Sequence, residues 1–275
     1  MSLTISAVIP TLNEADYLGQ LLDQLAGQSR PPDEVIVADA GSKDATIEVA
    51  RAHGARIVPG GRPAAGRTSG GMAAMGDWLY FFDADTRLPD DFFIERSLAD
   101  LLAQGVSAAV SDQRAYYRPG DKGYDRPLVR AWDRLIFGRA INWGQRSWLK
   151  WGFPVGQATW MASRRDIFRE LGGFNSSAEP FEDSEYLLRV HRTVAPPAGR
   201  NSAVGVLSPE IFHYISMRRY DQRGRFFAFR MGFRSTFLRW LLGREMPWPE
   251  YFDLNQEGYT ARPPTGETGW RPDDY

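Results

Sequence analysis

Apolar positions fall into two rhythms along the first half of the chain. Short runs rich in β-branched and aromatic residues read as buried strands: Leu3 to Ile9, Glu34 to Asp39 around Val35-Ile36-Val37, Ala55 to Val58, and Trp78 to Phe82. Pro10 is expected to stop the first of them. Between the first two runs, Leu18, Leu21, Leu22 and Leu25 recur at helical spacing, with Gly27 as the stop. Thr11 or Asn13 can cap that helix, and Glu14 falls in its first turn. A second helix from Asp44 to about His53 closes at Gly54. Strand and helix alternate four times through short links. That alternation predicts an α/β fold, Rossmann-like, with a mostly parallel sheet covered by helices on both faces.

The pattern continues beyond Pro89. It predicts a helix from Asp90 to about Gln104, a strand from Val106 to about Ser111, and a polar loop from Tyr116 to Lys122. Pro127 to Trp151 is rich in tryptophan and basic residues. There follow a strand over Gly156 to Ala162, a short helix from Arg165 to Leu171 ended by Gly172-Gly173, a helix from Glu182 to His191, and an edge strand over Val204 to Leu207. A helical extension is expected from Asp221 to Leu242, and the Pro-, Gly- and acid-rich residues beyond Pro247 read as a wrapping tail. Gly60, Gly61, Gly66, Gly70 and Gly71 are read as a loop that closes over a ligand.

Composition narrows the picture in three places. At 275 residues the chain suits one α/β domain with an appended C-terminal part. A net charge of -1 argues against nucleic acid as a bulk electrostatic partner. The absence of cysteine removes disulfides, thiolate zinc sites and cysteine nucleophiles, and fits a reducing, cytoplasmic location. No signal peptide and no membrane-spanning run is expected from the pattern.

In an open parallel sheet, ligands bind beyond the carboxyl ends of the strands. The acidic residues gather there: Glu14 after the first strand, Asp39 and Asp44 after the second, Asp83 and Asp85 after the fourth. Crowded carboxylates repel, so a cation is the expected resolution, and oxygen donors suit Mg²⁺ or Mn²⁺. Arg62 and Arg67, within the glycine-rich stretch, offer bidentate recognition of a diphosphate. Asp39 can accept hydrogen bonds from a base edge or a ribose. Asp39 and Asp44 equally suit turn and helix-capping positions.

Three blocks carry a resemblance: Val8-Ile9-Pro10-Thr11-Leu12-Asn13-Glu14, Val35 to Asp44, and Phe81-Phe82-Asp83-Ala84-Asp85. In order and spacing they resemble the signature segments of the family 2 glycosyltransferases. The resemblance implies a GT-A type fold, a nucleoside-diphosphate sugar donor of UDP or GDP type, and usually inversion at the anomeric carbon. Pro10, Thr11 and Glu14 would border the nucleoside, Asp39 would bind the base, and Asp44 would lie near base and ribose. Arg67 falls where the family often has Ala-Arg-Asn, although this chain reads Gly66-Arg67-Thr68. Asp83 and Asp85 match the Asp-X-Asp motif, with Asp85 as metal ligand and Asp83 reaching the ribose or a metal-bound water. Gly172-Gly173-Phe174 followed by Glu182-Asp183 resembles the family's Gly-Gly-Phe to Glu-Asp segment, which implies Asp183 as catalytic base and Glu182 as its alternative. The competing reading of Asp183 is a helix N-terminal acid. His213 is a candidate metal ligand by likeness, against the plainer reading of a satisfied half-buried histidine. Arg218 and Arg219 resemble a basic cluster directed at the diphosphate.

On this reading residues 1–112 form a donor-binding half, 113–245 an acceptor-binding half of the same domain, and 246–275 a tail. Between Asp221 and Leu242, arginines line one helical face and phenylalanines the next, the pattern of a helix at a membrane surface or of one packing its aromatics on the domain. Trp132, Trp143, Trp148 and Trp151 suit a glycan, lipid-linked or small-molecule acceptor, a core, or a homodimer contact. A dinucleotide oxidoreductase is disfavoured because no G-x-G-x-x-G follows the first strand. A sugar-phosphate nucleotidyltransferase would need a Gly-rich basic loop there, and a non-catalytic carbohydrate-binding scaffold would have no need of the intact acids.

Overall fold

The computed structural model describes residues 3–225 except 157, 158 and 180. In chain order the strands are β1 (Ile5–Thr11), β2 (Glu34–Asp39), β3 (Arg56–Pro59), β4 (Trp78–Phe82), β5 (Ala108–Val110), β6 (Asp112–Tyr116), β7 (Trp160–Arg164), β8 (Val204–Val206) and β9 (Phe212–Ser216). Seven of them form one sheet in the order β3-β2-β1-β4-β7-β5-β8. All neighbours in it run parallel except β7, which is antiparallel to β4 and β5. β6 and β9 pair in parallel as a second, two-stranded sheet. This is the mostly parallel α/β architecture that the alternating pattern predicts.

Both faces of the large sheet are covered, which is why its strands read as unbroken apolar runs. Ile5, Ala7, Ile9, Tyr80 and Phe82 point to the side of α1 (Ala15–Ala26) and α4 (Phe93–Gln104). Val8, Ile36, Leu79 and Phe81 point to the side of α3 (Pro63–Ala73), α7 (Arg165–Glu170) and α8 (Glu182–Thr193). The strand carried by Val35-Ile36-Val37 and the one from Trp78 to Phe82 have the expected bounds. β1 instead runs through Pro10, pairing Pro10 with Ala38 and Thr11 with Asp39. Its pairing to β4 ends at Val8 and Phe81, so Pro10 sits where the strand has only one neighbour and its missing N–H leaves no rung empty. The extension sets Thr11 beside Asp39.

Three other expectations are corrected. Gly66, Gly70 and Gly71 lie in helix α3, not in a loop, while Gly60 and Gly61 precede it. Pro63 opens it, and the Glu179 carboxylate accepts the Ala64 N–H at 2.9 Å. Its glycines are a contact surface. A Cβ on Gly66 would lie 3.2 Å from that of Pro10, one on Gly71 2.5 Å from the Phe168 ring, and one on Gly70 would run into Val8. Second, the chain leaves the large sheet at Ser111 and enters β6, where the pattern had shown only a strand end and a loop. Third, the helix expected from Asp221 begins earlier, as α9 (Arg218–Arg223), and closes before Gly224, whose φ is 88°. The remainder of the Asp221 to Leu242 segment, and the tail, lie outside the described residues.

The Trp-rich stretch is one continuous rod: α5 (Pro127–Leu135), a single π turn (Ile136–Ala140) and α6 (Ile141–Lys150). The remaining helix, α2 (Thr46–Ala52), precedes β3.

Gly70→Ala tests the close packing of α3. Helix propensity favours alanine by up to about 1 kcal/mol, whereas overpacking against Val8 costs about 1–3 kcal/mol. The expected net result is a lower Tm in thermal unfolding; an equal or higher Tm would show that α3 does not sit on β1.

Candidate active site

The sheet's carboxyl edge is built from the loops after β1, β2 and β4. The first two are laced together by side chains. Asp39 accepts the Thr11 hydroxyl at 3.1 Å, the Ser42 hydroxyl at 2.5 Å, and the N–H groups of Gly41 and Ser42 at 2.9 Å. Asn13 adopts φ 55°, accepts the Lys43 N–H at 2.8 Å and donates its own N–H to Ser42 at 2.9 Å. Asp44 accepts the Thr46 N–H at 3.0 Å on one oxygen and the Ala15 N–H at 3.2 Å on the other, so one carboxylate opens both α2 and α1. The turn and capping roles open to Asp39 and Asp44 in the sequence are thus present in the structure. Pro10 lies under Gly66 of α3, at the floor of the same edge.

Two ionic networks cross this edge. In the first, Arg67 projects from α3 between Asp83 at 2.5 Å and Glu182 at 2.8 Å. Arg67 is only 4% exposed. Burial works against its charge, but Asp83, Glu182 and Asp183 outweigh that and hold its pKa above the usual value. Asp183, at the start of α8, is buried and accepts the Ser184 N–H at 2.6 Å. Glu182 and Asp183 therefore differ in partner: one faces Arg67, the other also closes the helix start. Arg67 was expected to face a diphosphate; it faces carboxylates instead. Arg62, exposed at the start of α3, is the arginine of that pair turned toward solvent.

In the second network Arg218 reaches from α9 to Glu14 at 2.6 Å and Asp85 at 2.9 Å, with its guanidinium 4.2 Å from the Tyr17 ring centre. Burial pushes the Glu14 carboxyl up to about 7; Arg218 opposes the rise and Asp85 adds to it. Glu14 and Asp85 thus share one arginine, and Asp83 and Glu182 another.

The Asp83-Ala84-Asp85 turn is fixed from behind by residues that sequence reasoning missed. Arg87 is fully buried, donates to Gln20 at 2.7 Å and to the Tyr17 carbonyl at 3.1 Å, and pairs through its backbone with Tyr214 of β9. Tyr116 of β6 donates its hydroxyl to the Asp85 carbonyl at 2.8 Å. No local signal marks them, because their partners come from α1 and from the second sheet.

His213 is corrected. It is 1% exposed, and both ring nitrogens are engaged at 2.8 Å, one by the Ser111 hydroxyl and one by Thr159. Burial pushes its pKa down to about 3, so it stays neutral. With both nitrogens taken it is a satisfied core histidine and leaves the set of metal candidates. Among the described residues no three carboxylate or imidazole groups gather as a closed metal cage. The remaining donors still suit a hard ion that takes one or two carboxylates and completes its shell with phosphate. Arg218 holds one Asp85 oxygen at 2.9 Å, and among the described residues one Glu14 oxygen is buried without a hydrogen-bond partner.

The fold is of GT-A type. Residues 6–172 match the model of glycosyl transferase family 2, and the chain belongs to that family. It is 34% identical over 193 residues to the succinoglycan biosynthesis protein ExoA of Rhizobium meliloti, covering 65% of this chain and 55% of that protein. It is 34% identical over 134 residues to glucosyl-3-phosphoglycerate synthase of Mycolicibacterium paratuberculosis, covering 44% of this chain and 40% of that one. The chain thus spans about half the length of these relatives. In fold it is similar to the mannosyltransferase PcManGT of Pyrobaculum calidifontis in complex with GDP-Man and Mn2+, with a TM-score of 0.56 at 19% identity over 78% of this chain and 57% of that one.

The raised Glu14 pKa has a testable sign. Folding favours the protonated carboxyl, so its stabilising contribution is full below the usual 4.5 and is lost as pH rises through about 7. The Tm of Glu14→Gln relative to the parent should therefore climb between about pH 5 and about pH 8. A difference that is flat with pH would contradict the burial of this carboxyl.

Proposed function

We propose that the chain transfers a sugar from a nucleoside-diphosphate sugar to an acceptor hydroxyl, with inversion and with the help of a divalent cation. The observation that carries this reading is the Arg67 bridge, which holds Asp83 at the end of β4 and Glu182 at the start of α8 on one guanidinium. It brings the Asp-X-Asp turn and the Glu182-Asp183 pair onto one edge, as a displacement at an anomeric carbon requires: a leaving diphosphate on one side and a base on the other.

In this reading Pro10, Thr11 and Asp39 border the base, with Glu14 and Asp44 shaping the nucleoside end. Asp85, with Asp83 beside it, would hold Mg²⁺ or Mn²⁺, which supplies positive charge to the departing diphosphate. Arg218 releases Asp85 when the donor enters and turns to the diphosphate, with Arg62 at the start of α3. Asp183 takes the proton of the acceptor hydroxyl as it attacks, and Glu182 holds Arg67 in place. The donor half is 1–112 and the acceptor half 113–245. A GDP- or UDP-type donor is supported by the GDP-Man named with PcManGT and the UDP named with TarS of S. aureus, similar in fold at a TM-score of 0.52. The acceptor is a glycan, a lipid-linked sugar or a small molecule. In keeping with the absence of cysteine, the protein works on the cytoplasmic side.

Release of nucleoside diphosphate from a panel of UDP- and GDP-sugars with Mn²⁺ tests the roles. Asp183→Asn should lower turnover by at least about a hundredfold while still binding nucleotide, and Asp85→Asn should lower turnover comparably. Near-normal turnover in Asp183→Asn would remove it as the base.

A further inference from the structure

The rod from Pro127 to Lys150 is amphipathic the wrong way round for a solvated surface helix. Its inner face buries polar side chains beside Phe137. Asp133 is 0% exposed and is held by Arg225 at 2.8 Å and the Tyr117 hydroxyl at 2.7 Å. Asn142 is buried and exchanges hydrogen bonds with the Gln113 backbone at 3.0 and 3.1 Å. The π turn inserts one residue into the helical repeat, and this step brings Asn142 into line with Asp133 and Phe137. The same step aligns the outer face, where Leu128, Leu135 and Trp143 recur two turns apart. Leu128 is 86% exposed, Trp143 72% and, just past the rod, Trp151 75%. Trp148 and Phe153 are exposed beside them. Large apolar side chains grouped on an outer surface mark a contact site.

Charge selects the partner. Between residues 126 and 153 the only acid is the buried Asp133, while Arg126, Arg134, Arg139 and Lys150 are exposed. Yet the whole chain carries a net charge of -1, so basic charge is concentrated on this face. A second copy applying the same face would set cation against cation. So would residues 226–245, which follow Arg225 and carry Arg230, Arg234, Arg239 and Arg244 against Glu245 alone. An anionic partner with an apolar layer beneath its charges satisfies both features, and tryptophan favours that boundary. We propose that the outer face of the α5–α6 rod docks on an anionic lipid bilayer, lying in its interface. The contact proposed for this rod is peripheral, and no helix of the described residues is long and apolar enough to cross a membrane. The inference does not depend on the donor chemistry proposed above.

Flotation of the full chain with vesicles tests it. The protein should float with phosphatidylcholine–phosphatidylglycerol vesicles and not with phosphatidylcholine alone, with a blue shift of tryptophan emission. The triple variant W143A/W148A/W151A and the pair R134E/R139E should each weaken vesicle binding at least about tenfold at unchanged circular dichroism. Should one variant fail to fold, the other still decides the question. No binding by the parent overturns the proposal, as does binding that neither variant weakens. A concentration-dependent dimer that W143A/W148A/W151A dissociates, without vesicle binding, would assign the face to a second copy and also overturn it.

Discussion

A buried guanidinium between two carboxylates is the constraint on which the rest of the site depends. Arg67 ties α3 to the end of β4 and to the start of α8, the latter 115 residues further along the chain. Burying one charge without its partner would be strongly unfavourable, so all three groups must arrive together or not at all. The glycines of α3 follow from this. The helix has to lie against β1 for Arg67 to reach both acids, and only a residue without a Cβ allows that approach at Gly70, while Gly71 makes room for the Phe168 ring of α7. The Glu179 carboxylate joins the α3 N-terminus to the segment just before α8 a second time.

Arg218 occupies the other half of the edge on similar terms, but less deeply. It lies across Glu14 and Asp85, and it supplies the positive charge that the convergence of acids demands. A divalent cation bound at Asp85 would do the same work there. On the proposed reading the two positive charges would be alternatives on one carboxylate, and binding of a metal–diphosphate pair would be an exchange of partners around Asp85 rather than the filling of a bare acidic pocket. Arg87 and Tyr116 keep the Asp83-Ala84-Asp85 turn in place from behind.

The sheet was legible because parallel strands buried on both faces leave unbroken apolar runs, as in Trp78 to Phe82. Its acids were legible because strand ends in such a sheet form the binding edge. What escaped the pattern was long-range. Glycines that pack a helix against a strand look the same in sequence as glycines that free a loop, so α3 was read as a gate. Arg67 looked like a phosphate ligand because nothing local reveals that its partners are Asp83 and Glu182. The α5–α6 rod resisted assignment for a related reason. Several of its large apolar residues are exposed while Asp133, Asn142 and Gln145 are buried, so the usual inference from hydrophobicity to burial misplaces them.

The central claim is that these carboxylates, neutralised by arginine in the free protein, form a site for a nucleoside diphosphate together with a divalent cation. Calorimetric titration of the parent protein with GDP and with UDP, in Mn²⁺ and again in EDTA, measures this directly. The account predicts that one of the two nucleotides binds in Mn²⁺ and at least about tenfold more weakly in EDTA, a difference of about 1.4 kcal/mol or more. Equal affinity with and without the metal, or no binding of either nucleotide in Mn²⁺, would contradict it.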